Sequence, residues 1–463
     1  VLDFNIALAT DSYKVTHALQ YPRGTTNVYS YMEARARPDG WADEVVFFGL
    51  QYMLDRLQGC VVTPVMVEQA AALWGEHFGA DHFNAAGWMR IANEHGGHLP
   101  VVIRAVPEGT VVPTRNVLMT IENTDRECYW LTNWLETYLV QVWYPCTVAT
   151  QSREMKRVIA DSLSRTGDPS GLPFKLHDFG FRGVSCFEQA AIGGAAHLVN
   201  FAGTDTFAGV QLARKYYDAG MPGFSIPATE HSTITSWGKA AEVDAFRNLL
   251  ETYPTGIVAC VSDSYDIVRA CREYWGGELR DLVLKREGTL VVRPDSGDPR
   301  DSVLMVLREL GRAFGYTRNS HGYMVLPPQV RVIQGDGIDL PMLRSVLRVI
   351  NEDGWSTDNV AFGSGGGLLQ KLDRDTLSFA FKCSHVKGSW FTRDVYKDPT
   401  GMPSKASKRG RLKLVRNEGG EYVTTRQDGL EWKDEPDQLV EVFRDGEIKV
   451  RHTFDEIRDR AAL

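Results

Sequence analysis

Seven short apolar runs, each ending in a polar or glycine-rich tip, punctuate the chain between residues 174 and 367. They are FKLHDFGFRG, NFAGTDT, GFSIPATEHS, TGIVACVSDSYD, TLVVRPDSGDP, VRVIQGDGID and NVAFGSGGG. Runs of this length, bounded by turn residues, predict buried strands. Most tips precede apolar residues spaced three and four apart, as in VSCFEQAAIGGAAHLV, ITSWGKAAEVDAFRNLL, DIVRACREYW, DSVLMVLRELGRAF and LPMLRSVLRVI, and that period predicts helices. With tips at Asp178, Asp205, His231, Asp263, Asp295, Asp336 and Gly365, the separations are 27, 26, 32, 32, 41 and 29 residues. Such spacing fits successive strand–helix units and therefore a parallel sheet. The widest gap holds an excursion, TRNSHGYMVLPP. Polar tips on nearly every strand favour an α/β barrel, whose loops converge on one mouth. An open doubly wound sheet with its ligand at a switch point is the competing layout.

The first 150 residues are mixed in pattern. EVVFFGLQYMLDRL and ECYWLTNWLETYLVQVWY read as buried helices, whereas TNVYSYMEAR and PVVIRAVPEGTVVPTRNVLMTI read as strands punctuated by Pro and Gly. After about residue 380 the chain turns strand-rich and basic, and this tail is expected to return to the N-terminal domain. The expected division is a mixed α+β domain from 1–150 and 385–463, with a barrel domain over 151–384.

Charge and cysteine usage narrow the functional classes. Lys and Arg total 51 against 59 Asp and Glu, a net charge of −8. Neither nucleic acid nor an anionic membrane is then the expected partner, because both call for broad positive surfaces. The longest apolar stretches are too short to span a bilayer. Seven scattered cysteines, never in C-x-x-C, suit free thiols and a cytoplasmic location.

The tips also carry candidate chemistry. FGSGGGLLQKL has glycines at 363 and 365–367 before a helix start, and bare N–H groups there can cradle a phosphate. It is neither a dinucleotide fingerprint nor a P-loop, because residue 368 is Leu and no G-K-[ST] follows. The alternative is a tight strand–helix turn. Asp263, Arg293 and Asp295 could meet sugar hydroxyls, Mg²⁺ through water, or phosphate. Ser264, Ser296 and Asp298 could instead cap helices. Phe179 offers a flat face beside Arg182, although a strand-end Phe is more often core. Asp205 suits an amide N–H₂ and repels a carboxylate. His231 could accept a phosphoryl group if a carboxylate orients it, Glu230 being one such group, while Ser232 could cap the helix that follows. The basic run Lys382, Lys387, Arg393, Lys397, Lys405, Lys408, Arg409 and Arg411 reads as a solvated face or a polyphosphate pocket. His95 and His98 have no third metal ligand at useful spacing and read as a surface loop.

Taken in order, TDSYKVTH, YPRGTTNVYSYMEAR, HDFGFRGVS, GTDT, TEHSTIT, SDSYDI, RPDSG, VIQGDG, FGSGGGLLQKL and SFAFKCS resemble the nicotinamide phosphoribosyltransferase family over essentially the full chain. The resemblance implies an incomplete parallel α/β barrel beside a mixed domain built from both chain ends. It implies transfer of phosphoribose from 5-phosphoribosyl-1-pyrophosphate to nicotinamide, with Mg²⁺ as cofactor and ATP as an optional co-substrate. It also implies a homodimer with active sites at the subunit interface. By motif, Phe179 is expected to stack on the pyridine ring, with Tyr13 of the partner subunit covering the other face. Asp205 is expected to select nicotinamide over nicotinate. Arg182, Asp263, Arg293, Asp295, Gly335, Asp336, Gly365 and Gly366 match residues around ribose and its 5′-phosphate. Arg374, Lys382, Lys397 and the partner's Arg35 match pyrophosphate and triphosphate contacts. His231 matches the phosphorylated histidine, and no protein group is assigned to the metal. Phe181 departs from the Tyr common in this motif.

Overall fold

A computed structural model describes residues 4–35, 40–400, 406–430 and 432–463. The chain forms two compact units, one of residues 151–215 and 219–372 with the last two residues, the other of 1–150, 216–218 and 373–461.

The first of these is an incomplete α/β barrel. Its sheet has six strands: β1 (Leu176–Asp178), β2 (Gly203–Thr204), β3 (Thr255–Val261), β4 (Glu287–Arg293), β5 (Val330–Gln334) and β6 (Val360–Ser364). Their order is β2-β1-β6-β5-β4-β3, and every pairing is parallel. Helices between the strands bury one stripe each. Leu340–Glu352 hides Leu343, Val346, Leu347 and Ile350, the three- and four-residue spacing read from sequence. Pro299–Phe314 hides Val303, Val306, Leu307 and Leu310 likewise. Each such fully buried side chain contributes about 1.5–3 kcal/mol of burial. Asp298 and Asp339 cap these two helices, accepting from the amides of Arg300 and Met342, and Pro stands in each first turn.

The third apolar run departs from its expected form. GFSIPAT makes no regular strand; it crosses from one sheet edge to the other. Phe224 bridges to Gly203 on β2, and Ala228 bridges to Ala259 on β3. Pro227 lacks the N–H for a continuing ladder, while its carbonyl accepts from the Ala259 amide at 2.9 Å. The open edges are thus tied by one irregular segment. The excursion TRNSHGYMVLPP is a small hairpin of Thr317–Arg318 with Met324–Val325. DIVRACREYW begins as an α-helix at Ile267–Arg269 and continues as a π-helix over Ala270–Glu278.

The other unit is a seven-stranded antiparallel sheet with helices. Its strand order is Thr392–Asp394, Ala380–Gly388, Thr25–Glu33, Val117–Asn123, Val101–Ala105, Val440–Arg444 and Glu447–Ile448. Both chain ends therefore build it. Because Ala380–Gly388 pairs along the whole of Thr25–Glu33, the boundary expected at 384/385 falls instead at 372/373. EVVFFGLQYMLDRL is not one helix: Glu44–Val46 is a strand, and the helix Leu50–Gly59 starts after Gly49. That glycine has φ of 100°, a left-handed conformation that breaks the run. Among the described residues no helix is long and apolar enough to cross a membrane, and every cysteine is free.

Candidate active site

The strand ends position the site. A cavity of about 360 Å³ is lined by Phe179, Arg182, Gly183, Arg293, Asp295, residues 335–339, residues 365–367 and Lys371. Phe179 follows β1, and its amide donates to the Ser364 carbonyl at 2.9 Å. The ring packs against the barrel's interior layer of Ala259, Val291 and Ile333. Two glycines make room for it. A Cβ on Gly363 would lie 2.0 Å from the ring, and one on Gly335 would lie 3.0 Å away. The Arg293 guanidinium lies 5.8 Å from the ring centroid, within cation–π range. Phe179 is thus both core and cavity wall. The turn after β5 is tied to the end of β6 by the Ser364 hydroxyl, which donates to the Ile338 carbonyl at 2.6 Å.

Beside this cavity, His231 opens a five-residue helix, His231–Thr235. Its Nε2 lies 3.1 Å from Asp263 Oδ1, and its Nδ1 lies 3.8 Å from Asp295 Oδ2. Asp263 Oδ2 accepts from the Asp295 amide at 2.9 Å and the Ser296 hydroxyl at 2.6 Å. Asp295 Oδ1 accepts from Arg293 at 2.6 and 3.0 Å. Two expectations change here. The carboxylates that face His231 are Asp263 and Asp295, and Glu230 instead accepts from the Ser232 hydroxyl. No side chain caps the helix at His231, so Ser232 is not its cap. Ser296 likewise serves Asp263 rather than a helix end, Ser264 has its hydroxyl buried without a partner, and Asp298 does cap.

Asp205 follows β2 and is exposed, accepting a hydrogen bond from the hydroxyl of Ser225 on the crossing segment. Asp336 is exposed on the turn after β5. Lys371 and Ser225 escaped the sequence reading, and Asp178 was read only as a strand tip. Lys371 had one available signal, a cation four residues beyond the last glycine of the cradle.

The remaining candidates belong to the antiparallel unit. Tyr13 is exposed and packs edge-on to His17 at 5.0 Å. Arg35 donates from Nε to Glu33 at 2.7 Å, and its buried Nη2 has no hydrogen-bond partner. Lys382 sits opposite Tyr31 in the sheet. Burial pushes the Lys382 ammonium below its ordinary value, helped by Arg35, Arg374 and Lys14 nearby. Arg35, Arg374 and Lys382 therefore form one cationic cluster, with Arg374 exposed 3.7 Å from Asp375. Lys397 is exposed, its amide bonded to Ser407 Oγ at 2.8 Å. Lys408 and Arg411 are ion-paired with Glu33 and Glu122, and Lys405 lies outside the described residues.

The His95 reading is corrected in the same unit. Its Nε2 lies 2.7 Å from Asp125 Oδ2, with the Cys128 sulfur also within 4.8 Å. The Arg90 guanidinium bonds the same Asp125 oxygen at 2.7 Å, and burial pushes the Cys128 thiol up to about 12. This is an ion-paired cluster rather than a set of free ligands. A larger hollow of about 630 Å³ nearby is lined by Arg90 and Glu94, which pair with each other at 2.9 Å. Convergent unspent chemistry is concentrated at the barrel.

Comparison with known proteins identifies the family. Residues 174–447 match the nicotinate phosphoribosyltransferase (NAPRTase) family, and residues 5–103 match the N-terminal domain of nicotinamide phosphoribosyltransferase. A protein of Xanthomonas campestris pv. campestris named nicotinamide phosphoribosyltransferase is 52% identical over 99% of this chain and 98% of its own. One of the same name from Acinetobacter baylyi is 33% identical over 98% and 96%. In fold, the chain is similar to a Pyrococcus furiosus nicotinate-nucleotide pyrophosphorylase, with TM-score 0.62, 17% identity and coverage of 100% and 96%. It is also similar to human nicotinic acid phosphoribosyltransferase, with TM-score 0.60, 17% identity and coverage of 98% and 93%. Barrel, cavity and sequence together define an enzyme of the phosphoribosyltransferase class. The chain belongs to the nicotinate phosphoribosyltransferase (NAPRTase) family.

Proposed function

We propose that the chain is a nicotinamide phosphoribosyltransferase acting in cytoplasmic NAD salvage. It moves the 5-phosphoribosyl group from 5-phosphoribosyl-1-pyrophosphate to nicotinamide. The bond from ribose C1 to the pyrophosphate oxygen breaks, and pyrophosphate leaves with the electron pair. A bond from C1 to the pyridine nitrogen forms, giving nicotinamide mononucleotide. The cavity of glycines 335, 365 and 366 with Arg182 and Arg293 suits the 5′-phosphate, and Lys371 adds a cation there. Asp263, Asp295 and Asp336 suit the ribose hydroxyls. Phe179 provides a shelf for the pyridine ring. Holding the nitrogen in line with C1 is where this arrangement acts on the rate.

The observation that carries the choice of base is Asp205, an exposed carboxylate at the same strand ends. It accepts from a carboxamide N–H₂ and repels the carboxylate of nicotinate. The names of the 52% and 33% identical relatives support the same choice.

At the strand ends Asp263 and Asp295 offer carboxylate oxygens, with the His231 ring between them. This fits Mg²⁺, which is held by one or two carboxylates plus phosphates and water. Asp263 and Asp295 are the residues to hold it. A Mg²⁺ ion held there would supply charge neutralisation for the leaving pyrophosphate.

His231 is proposed as an acceptor of the ATP γ-phosphoryl group. Its bond to Asp263 holds the ring proton at Nε2, which leaves a lone pair on Nδ1. That nitrogen takes the phosphoryl group, ADP leaves, and water later releases phosphate. A homodimer would bring Tyr13 and Arg35 of a second copy to each site. Incubating the protein with nicotinamide and phosphoribosyl pyrophosphate, with and without labelled ATP, tests the reading. Nicotinamide mononucleotide and an acid-labile label on His231 are expected. Absence of product overturns the activity, and product without label removes the phosphohistidine.

A further inference from the structure

We infer that Asp178 is a positioning residue that locks the aromatic shelf and the base-selecting carboxylate into one register. This inference rests on the base-binding reading of Phe179 and Asp205. Asp178 is the last residue of β1 and is fully buried, unlike the carboxylates around it. Its Oδ1 accepts the Gly180 amide at 2.7 Å, closing a side-chain turn around Phe179. Its backbone carbonyl accepts the Asp205 amide at 2.9 Å. One residue therefore fixes where the ring and the carboxylate sit relative to each other. Gly180 cannot be replaced freely, because a Cβ there would lie 2.6 Å from Leu369 and 3.0 Å from Asp178 Oδ1.

The second oxygen extends the link to the turn that carries Asp205. Asp178 Oδ2 and the hydroxyl of fully buried Thr206 are both without hydrogen-bond partners. Thr206 follows Asp205 directly, and its own amide is tied to Thr204 Oγ1 at 2.9 Å. One bond between Oδ2 and Thr206 Oγ1 pairs both orphans, the hydroxyl donating to the ionised carboxylate and the carboxyl donating when it is protonated. The groups that face the Asp178 carboxyl are the Gly180 amide, the Thr206 hydroxyl and the Asp205 carboxylate, and no cation is among them. Burial, with Asp205 adding like-charge repulsion, pushes the carboxyl up to about 7.

Asp178→Asn, Asp178→Ala and Thr206→Val test this. The asparagine variant keeps an acceptor for Gly180 and a donor for Thr206, so its KM for nicotinamide should stay within about threefold of wild type. The alanine variant should raise that KM by about tenfold to a hundredfold, in line with the cost of misplacing a bound group. Its KM for phosphoribosyl pyrophosphate should change by less than about threefold, and its preference for nicotinamide over nicotinate should shrink. Equal changes in both KM values, or an asparagine variant as damaged as alanine, overturn the inference. If the alanine variant does not fold, Thr206→Val decides, with a several-fold rise in the nicotinamide KM alone expected and an unchanged value refuting it. Amide exchange at Gly180 and Asp205 is independent of any activity. The Gly180 amide should lose protection in Asp178→Ala while that of Asp205, bonded to the Asp178 backbone carbonyl, and those of β5 and β6 keep theirs, and retained protection at Gly180 refutes the inference even if the wild type makes no product.

Discussion

The two ends of the parallel barrel hold opposite charges and use them differently. At the N-terminal ends of the strands stand three cations, each spent on backbone carbonyls. Lys175 donates to the carbonyls of Thr357, Asp358 and Val360, each at 3.0 Å. Arg286 reaches Thr255 at 2.9 Å and Gly256 at 3.1 Å, and Arg331 reaches Pro327 at 2.8 Å and Val330 at 2.7 Å. At the C-terminal ends stand Asp205, Asp263, Asp295 and Asp336 with His231 and the glycine turns. Asp263 and Asp295 bond mainly to one another's loop, His231 and Arg293, while Asp205 and Asp336 are exposed. Cations bonded to backbone carbonyls tie strand ends together, although Arg286 Nε is buried without a partner, whereas groups at a mouth are available to a ligand. The barrel closes its lower end with paired charge and leaves its upper end chemically open.

Substitutions at the two ends should separate these roles. The largest effect belongs to the mouth. Asp295→Asn should cut kcat/KM for phosphoribosyl transfer by about 10²–10³ while the melting temperature moves by only about 4 °C or less. Unfolding of this variant, seen by calorimetry, would break the comparison. Next comes the floor, where Lys175→Met strands three carbonyls and should cost about 3 kcal/mol or more of unfolding free energy. Activity per folded molecule should stay within about twofold of wild type, and a loss of turnover at unchanged stability would refute the structural assignment. Asp205→Asn should then erode the preference for nicotinamide over nicotinate by about tenfold. An unchanged ratio in competition assays removes Asp205 from its proposed role.

The smallest effect is a pH dependence set by Asp178. Its folded carboxyl titrates near 7, above the ordinary 3.8, because of burial. The folded state therefore binds the extra proton between these values. Its contribution to stability is complete at low pH and is lost as pH rises through about 7. Thermal scans from pH 5.5 to 8.5 should show Asp178→Asn gaining on wild type by about 2–4 °C as pH rises. A constant difference across that range would mean the carboxyl does not titrate there.

Much of the barrel was legible because strand burial is a local property. VVRPD and VIQGD each show an apolar run followed by a polar tip, and each is a strand with its tip at the mouth. GFSIPAT has the same look but is only a crossing segment. Periodicity cannot see that Pro227 ends the ladder or that two sheet edges wait on either side. The site was legible in part for a related reason. Glycine turns and charged tips identify themselves by residue type, but hydrogen-bond partners do not. Asp263 is 32 residues from His231, and Ser225 is 20 residues from Asp205. Adjacency in sequence suggested Glu230 for His231, although neighbouring residues on an extended chain face opposite ways. Lys371 and Asp178 were passed over because one looked like a solvated helix lysine and the other like one more strand-end acid.

Sequence alone determined the parallel strand–helix repeat, the glycine turns, the net negative charge and the ordered motifs that mark the family. These depend on residue type and spacing, which the chain states directly. Only the tertiary structure decided that Asp263 and Asp295 flank His231, that Gly363 and Gly335 make space for the Phe179 ring, and that Asp178 is fully buried while Asp205 and Asp336 are exposed. Those facts depend on which distant segments meet, and that is set by packing and hydrogen-bond satisfaction across the whole barrel rather than by any local run of residues.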